Sequence, residues 1–136
     1  MKKTLLALLA LLCTPFALRA DTLYVTPSGA GNKDGSSWAN ACAGIQAAVD
    51  HVDAAVAADA NYPIPTIHVA DGTYSRVSIT NDIALDVRSV NGAAATVIDG
   101  GGTNNCVDVR LSGYTNFGQS PKFTGFTLRK IGRAHV

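Results

Sequence analysis

Glutamate is absent: all ten acidic residues of the 136-residue chain are aspartate. Glutamate sits well inside helices, whereas aspartate competes for backbone hydrogen bonds and prefers turns and caps. Its exclusive use argues against a helical protein and for a turn-rich β architecture. Clusters of Lys and Arg are missing too, which removes the electrostatic footprint of a nucleic-acid-binding chain. The only long apolar run, residues 5–12, is too short to span a bilayer, and no second one follows. Cysteine is scarce, at three residues. With no His beside them, the isolated Cys42 and Cys106 make a poor metal site.

The leader comes first in what is present. Lys2 and Lys3 precede the Leu/Ala run, Pro15 breaks it, and Ala20 offers a small residue before Asp21. Residues 1–20 therefore read as a secretory signal peptide cleaved after Ala20, and Leu12 before Cys13 excludes a lipoprotein signal. No transmembrane segment remains after cleavage. The exported remainder keeps eight Lys and Arg against ten Asp, a net charge of −2. Export permits a disulfide between Cys42 and Cys106. Their apolar neighbours Ala41, Ala43 and Val107 make two small buried hydrophobes the first expectation.

The rest changes period once. Ile45, Ala48, Val49, Val52 and Val56 recur at helical spacing, which predicts a helix over 41–58. Asn40 or Ser37 is expected to cap it and Asn61-Tyr62-Pro63 to end it, with Gln46, Asp50, Asp53 and Asp59 facing outward. Short alternating strands are predicted at 23–25, 66–69, 77–79, 83–87, 95–98, 107–111 and 123–128, separated by Gly, Asn and Asp corners. Residues 28–37 read as a loop and Asp71-Gly72-Thr73-Tyr74 as a turn. Gly92, Gly100, Gly101 and Gly102 are expected at positive-φ corners, and Asn104 and Asn105 as corner residues bonding their neighbours. Such a run is compatible with a sandwich, a barrel or a β-solenoid. DVRSVNG (86–92) is echoed 22 residues later by DVRLSGY (108–114), which favours the solenoid.

Four stretches then carry a family resemblance: YVTPSGAGNKDGSSWANACAGIQAAVD from Tyr24, IHVADGTY from Ile67, VRSVNGAAATVIDGGGTNNCV from Val87, and GFTLR from Gly125. They resemble secreted bacterial right-handed parallel β-helix proteins of the pectate-lyase-like and polymorphic-outer-membrane-protein-like group, over nearly all of 23–129. The resemblance implies a mainly β fold, a right-handed parallel β-helix with an N-terminal capping α-helix, truncated after roughly three rungs. Residues 21–130 then form the cap and first rungs. Residues 131–136, IGRAHV, match the translation of a widely used sequencing adapter and read as an adapter-derived artefact tail.

The resemblance implies the N-terminal fragment of a secreted or cell-surface protein, polysaccharide-binding or adhesin-like, with no complete active site. The alternative is a polysaccharide lyase or glycoside hydrolase whose catalytic rungs lie downstream; only a lyase would bring in calcium. No catalytic residue is carried over, because nothing matches a lyase motif residue by residue. If the 22-residue echo marks stacking, Asp86 lies over Asp108 and Arg88 over Arg110. That ladder is first of all a solvated charged face and only secondarily a calcium or uronate site. His51 and His68 read as ordinary outward residues. Tyr24 and Trp38 flank the loop, with packing beneath the cap the first expectation and sugar stacking the functional one.

Overall fold

Alternation of apolar and polar residues sets the strands. A computed structural model describes residues 22–80, 83–102, 105–110 and 120–129. The leader at 1–20, Asn104, the end of the 108–114 echo and the tail at 131–136 lie outside them. The elements are β1 (Thr22–Thr26), β2 (Cys42–Ala43), α1 (Ile45–Ala58), β3 (Thr66–Val69), β4 (Gly72–Ser75), β5 (Val77–Ile79), β6 (Asp86–Ser89), β7 (Thr96–Asp99), β8 (Val107–Val109), β9 (Lys122–Thr124) and β10 (Thr127–Arg129). Among the described residues the fold is mainly β with one α-helix.

The strands form three sheets, ordered β2-β1-β3-β6-β9, β4-β7-β10 and β5-β8. Every pairing is parallel. From β3 onward the chain visits the sheets in fixed rotation: β3, β4, β5, then β6, β7, β8, then β9, β10. Because side chains alternate across each strand, parallel register stacks like upon like. Leu23, Ile67, Val87 and Phe123 form one inward column, and Tyr74, Ile98 and Leu128 another. The columns lose cover at β8 and β10, where Val109 and Leu128 are exposed.

Helix α1 seals the other end. Ile45, Ala48, Val49 and Val52 are buried and join the strand residues in one apolar cluster, with Val56 packed against it. At roughly 1.5–3 kcal/mol for each large aliphatic side chain removed from water, this face holds the helix down. The helix begins at Ile45 rather than 41, because Cys42–Ala43 pairs with β1 and Gly44 turns the chain at φ 91°. Neither Asn40 nor Ser37 caps it: Asn40 Oδ1 instead accepts from the Asn32 amide at 3.1 Å. Its end is set by Asp59, whose amide donates to Ala55 and whose side chain accepts from Asn61 at 3.0 Å.

Other expectations need correction. The 71–74 turn is largely strand β4. The strand expected at 83–87 starts only at Asp86, although Ile83 and Leu85 are buried. The last strand is two, broken at Gly125 with φ 79°. Gly92, Gly101 and Gly102 adopt positive φ but Gly100 does not; it is buried, its amide bonded to Arg129.

Candidate functional site

Across β1, β3, β6 and β9 of the five-stranded sheet run two rows of outward positions. Thr22, Thr66, Asp86 and Lys122 make one; Tyr24, His68, Arg88 and Thr124 make the other. Parallel strands lie about 4.8 Å apart, so each row presents one side chain per step. Tyr24 and His68 stack at 5.9 Å with their planes 24° apart. Trp38 extends the row, meeting Tyr24 edge-on at 4.8 Å.

Trp38 is held there by the loop before it. The Tyr24 amide donates to Gly35 and the Gly35 amide to Asn40, so the 28–37 segment runs close along β1. A side chain at Gly35 would come within 2.8 Å of Cys42 Sγ and 2.9 Å of Leu23 Cδ2, at a φ of 77° that L-residues avoid. A 3-10 turn, Trp38–Asn40, then lifts the indole onto the surface, where it is 43% exposed. Packing beneath the helix is thus not its role.

Arg88 and Asp86 form an ion pair on this face. Arg88 Nε donates to Asp86 at 2.8 Å, and its Nη2 donates to the same oxygen. That hydrogen bond, helped by the positive charges of Arg88, Lys122 and His68 and opposed by burial, holds the Asp86 carboxyl below its usual range. Aromatic rings beside a fixed Asp–Arg pair can stack on a sugar's C–H face and bond its hydroxyls. Arg88 engages only Oδ2 of Asp86, whose Oδ1 is buried without a hydrogen-bond partner among the described residues; a carboxylate held ionised in this way suits accepting a hydrogen bond better than donating a proton.

Asp86 does not lie over Asp108. Asp86 pairs with Thr66 and Lys122, whereas Asp108 pairs with Ser78 in a different sheet. Asp108 instead accepts from Arg76 at 3.0 Å and lies 3.1 Å from Arg110, whose hydrogen bond is the first cause of its lowered carboxyl pKa. On the third sheet, Asp99 binds Arg129 at 2.8 Å. No group of three His, Cys, Asp or Glu side chains able to hold a metal is found among the described residues. His51 is exposed on α1. Cys42 and Cys106 are buried free thiols; burial, then the charge of Asp34, pushes the Cys42 thiol up. No described helix is long and apolar enough to cross a membrane.

Two contributors escaped the sequence reading. His68 looks like any outward strand residue until the register sets it against Tyr24. Gln46, expected to face solvent, reaches β5: its Oε1 accepts from the Ser78 amide at 2.7 Å and its Nε2 donates to the Ser78 carbonyl at 3.1 Å. No family model matches the chain, and neither curated proteins nor solved structures yield a match.

Proposed function

We propose that this chain is the N-terminal part of an exported, secreted or cell-surface right-handed parallel β-helix that binds polysaccharide along the outer face of its five-stranded sheet. The rotation of the chain through three parallel sheets supports the β-helix reading, and connections between parallel strands of one sheet are almost always right-handed. A terminal rung needs cover, which α1 supplies. The basic, apolar and small-residue pattern of 1–20 supports export.

The observation that carries the function is the row Trp38-Tyr24-His68-Arg88, three rings and a guanidinium along one flat face. A lyase or hydrolase needs convergent carboxylates. Among the described residues Asp86, Asp99 and Asp108 sit one to a sheet, each bonded to arginine, so this part of the chain is read as a binding face.

The test is co-sedimentation of the full chain, recovered after export, with a panel of insoluble plant and bacterial polysaccharides. Its N-terminal residue should be Asp21. At least one polysaccharide should retain it, and Tyr24→Ala or Arg88→Ala should weaken retention tenfold or more without altering the circular dichroism spectrum. Failure of every polysaccharide to retain it, or retention indifferent to both substitutions, would count against the reading.

A further inference from the structure

Beyond the row, the indole of Trp38 forms one wall of a groove of about 450 Å³ that Ala70, Asp71, Val90 and Asn91 complete. The groove is a shallow, open depression, the shape that receives one unit of an extended chain lying across a surface. We infer that this groove is a subsite for one neutral pyranose unit of a bound glycan. The inference rests on the polysaccharide-binding reading above and adds the sugar class and the residues that select it.

The groove is built from fixed positions. The Ala70 amide donates to Val25 and the Val90 amide to Val69, both at 2.9 Å, so Asp71 and Asn91 leave the sheet side by side on successive strands. Asn91 Nδ2 donates to both Asp71 oxygens, at 3.0 and 3.1 Å. That contact turns the amide nitrogen toward Asp71 and leaves Asn91 Oδ1 as an acceptor. The polar rim is thereby rich in acceptors: a carboxylate with further lone pairs and an amide oxygen. Facing it are two apolar surfaces, Trp38 at 43% and Val90 at 50% exposed.

A neutral pyranose matches both halves. Its C–H face can lie on the indole, and its hydroxyl rim supplies the donors that Asp71 and Asn91 want. A uronate or sulfated sugar does not match, because the groove lining holds one carboxylate and no cation. Trp38 also touches Tyr24, so a unit held here continues onto the aromatic row.

Trp38 is the single tryptophan of the chain, so its fluorescence reports on this groove and on the adjoining end of the aromatic row, and Asn91, which lines the groove but is not in the row, separates the two. The full exported chain is titrated with cellohexaose, xylohexaose and mannohexaose, and separately with trigalacturonate. At least one neutral hexasaccharide should give a saturable emission change, and trigalacturonate should give none at tenfold higher concentration. Asn91→Ala should weaken the titration at least tenfold while leaving the circular dichroism spectrum unchanged. Trp38→Ala should reduce co-sedimentation with the retained polysaccharide. Retention of polysaccharide that Asn91→Ala leaves unchanged while Tyr24→Ala and Arg88→Ala weaken it overturns the subsite and leaves the outer-face reading standing. No retention and no emission change overturns both. A stronger response to trigalacturonate overturns the neutral-sugar assignment.

Discussion

Replacing Gln46 by glutamate exchanges one amide NH2 for an oxygen, at a point where the structure gives that NH2 two acceptors. Nε2 donates to the Ser78 carbonyl at 3.1 Å and to Asp50 at 2.9 Å, while Oε1 accepts from the Ser78 amide at 2.7 Å. Among the described residues strand β5 has a strand partner, β8, on one side only. The Gln46 amide bonds its other edge much as a neighbouring peptide would. In Gln46→Glu one oxygen can still accept from Ser78, but the other faces a carbonyl and a carboxylate. Two hydrogen bonds at about 0.5–1.5 kcal/mol each, with an added like-charge i,i+4 contact, give a loss of about 2–3 kcal/mol. For a domain of this size that lowers Tm by roughly 10–20 °C.

The effect has a defined pH dependence. Asp50 and the Ser78 carbonyl disfavour the ionised form of the new carboxyl, so its folded pKa is raised above the unfolded value of about 4.3. The protonated form can donate again. The penalty is therefore absent below the unfolded pKa and grows as pH rises through the folded one. Thermal melts of Gln46→Glu and the native chain should converge near pH 4 and diverge at pH 7, and Ser78 amide exchange should quicken at pH 7. Gln46→Ala should be destabilised by a similar amount at both pH values. Equal melting at pH 7 with unchanged Ser78 exchange would refute the edge role of Gln46.

Val49 is 3% exposed at the centre of the helix face, so Val49→Asp should cost several kcal/mol, enough to abolish a cooperative melt or detach α1, as read by calorimetry and far-UV dichroism. Thr96 is fully buried with its Oγ1 unpartnered, and removing an unsatisfied hydroxyl at constant shape should leave Thr96→Val as stable or about 1 kcal/mol more stable in urea titrations. Cys42 and Cys106 should resist a thiol reagent in the native exported chain and release two thiols once it is denatured.

The sequence makes individual strands and the helix face legible, because both depend on local alternation. At 66–69 and 77–79 the apolar period alone locates β3 and β5. Partnership is harder to read, because the corners differ in length. Thr66 pairs with Asp86, twenty residues on, whereas Gly72 pairs with Thr96 at twenty-four, Val77 with Val107 at thirty and Asp86 with Lys122 at thirty-six. A fixed 22-residue echo therefore aligned Asp86 with Asp108, which belong to different sheets. Strand β2 is two residues long and β4 starts on glycine, so neither carries an alternation to detect. The Tyr24-His68 stack and the Asp71-Asn91 pair depend on register, and the Gln46 contact on where the helix lands.

The most direct test of the glycan-binding face is residue-resolved amide and side-chain NMR of the labelled exported chain, titrated with an oligomer of the retained polysaccharide. The account predicts shift changes concentrated on the row Trp38, Tyr24, His68 and Arg88. Changes centred instead on Arg76, Asp108 and Arg110 of the two-stranded sheet, or none at saturating oligomer, would contradict it.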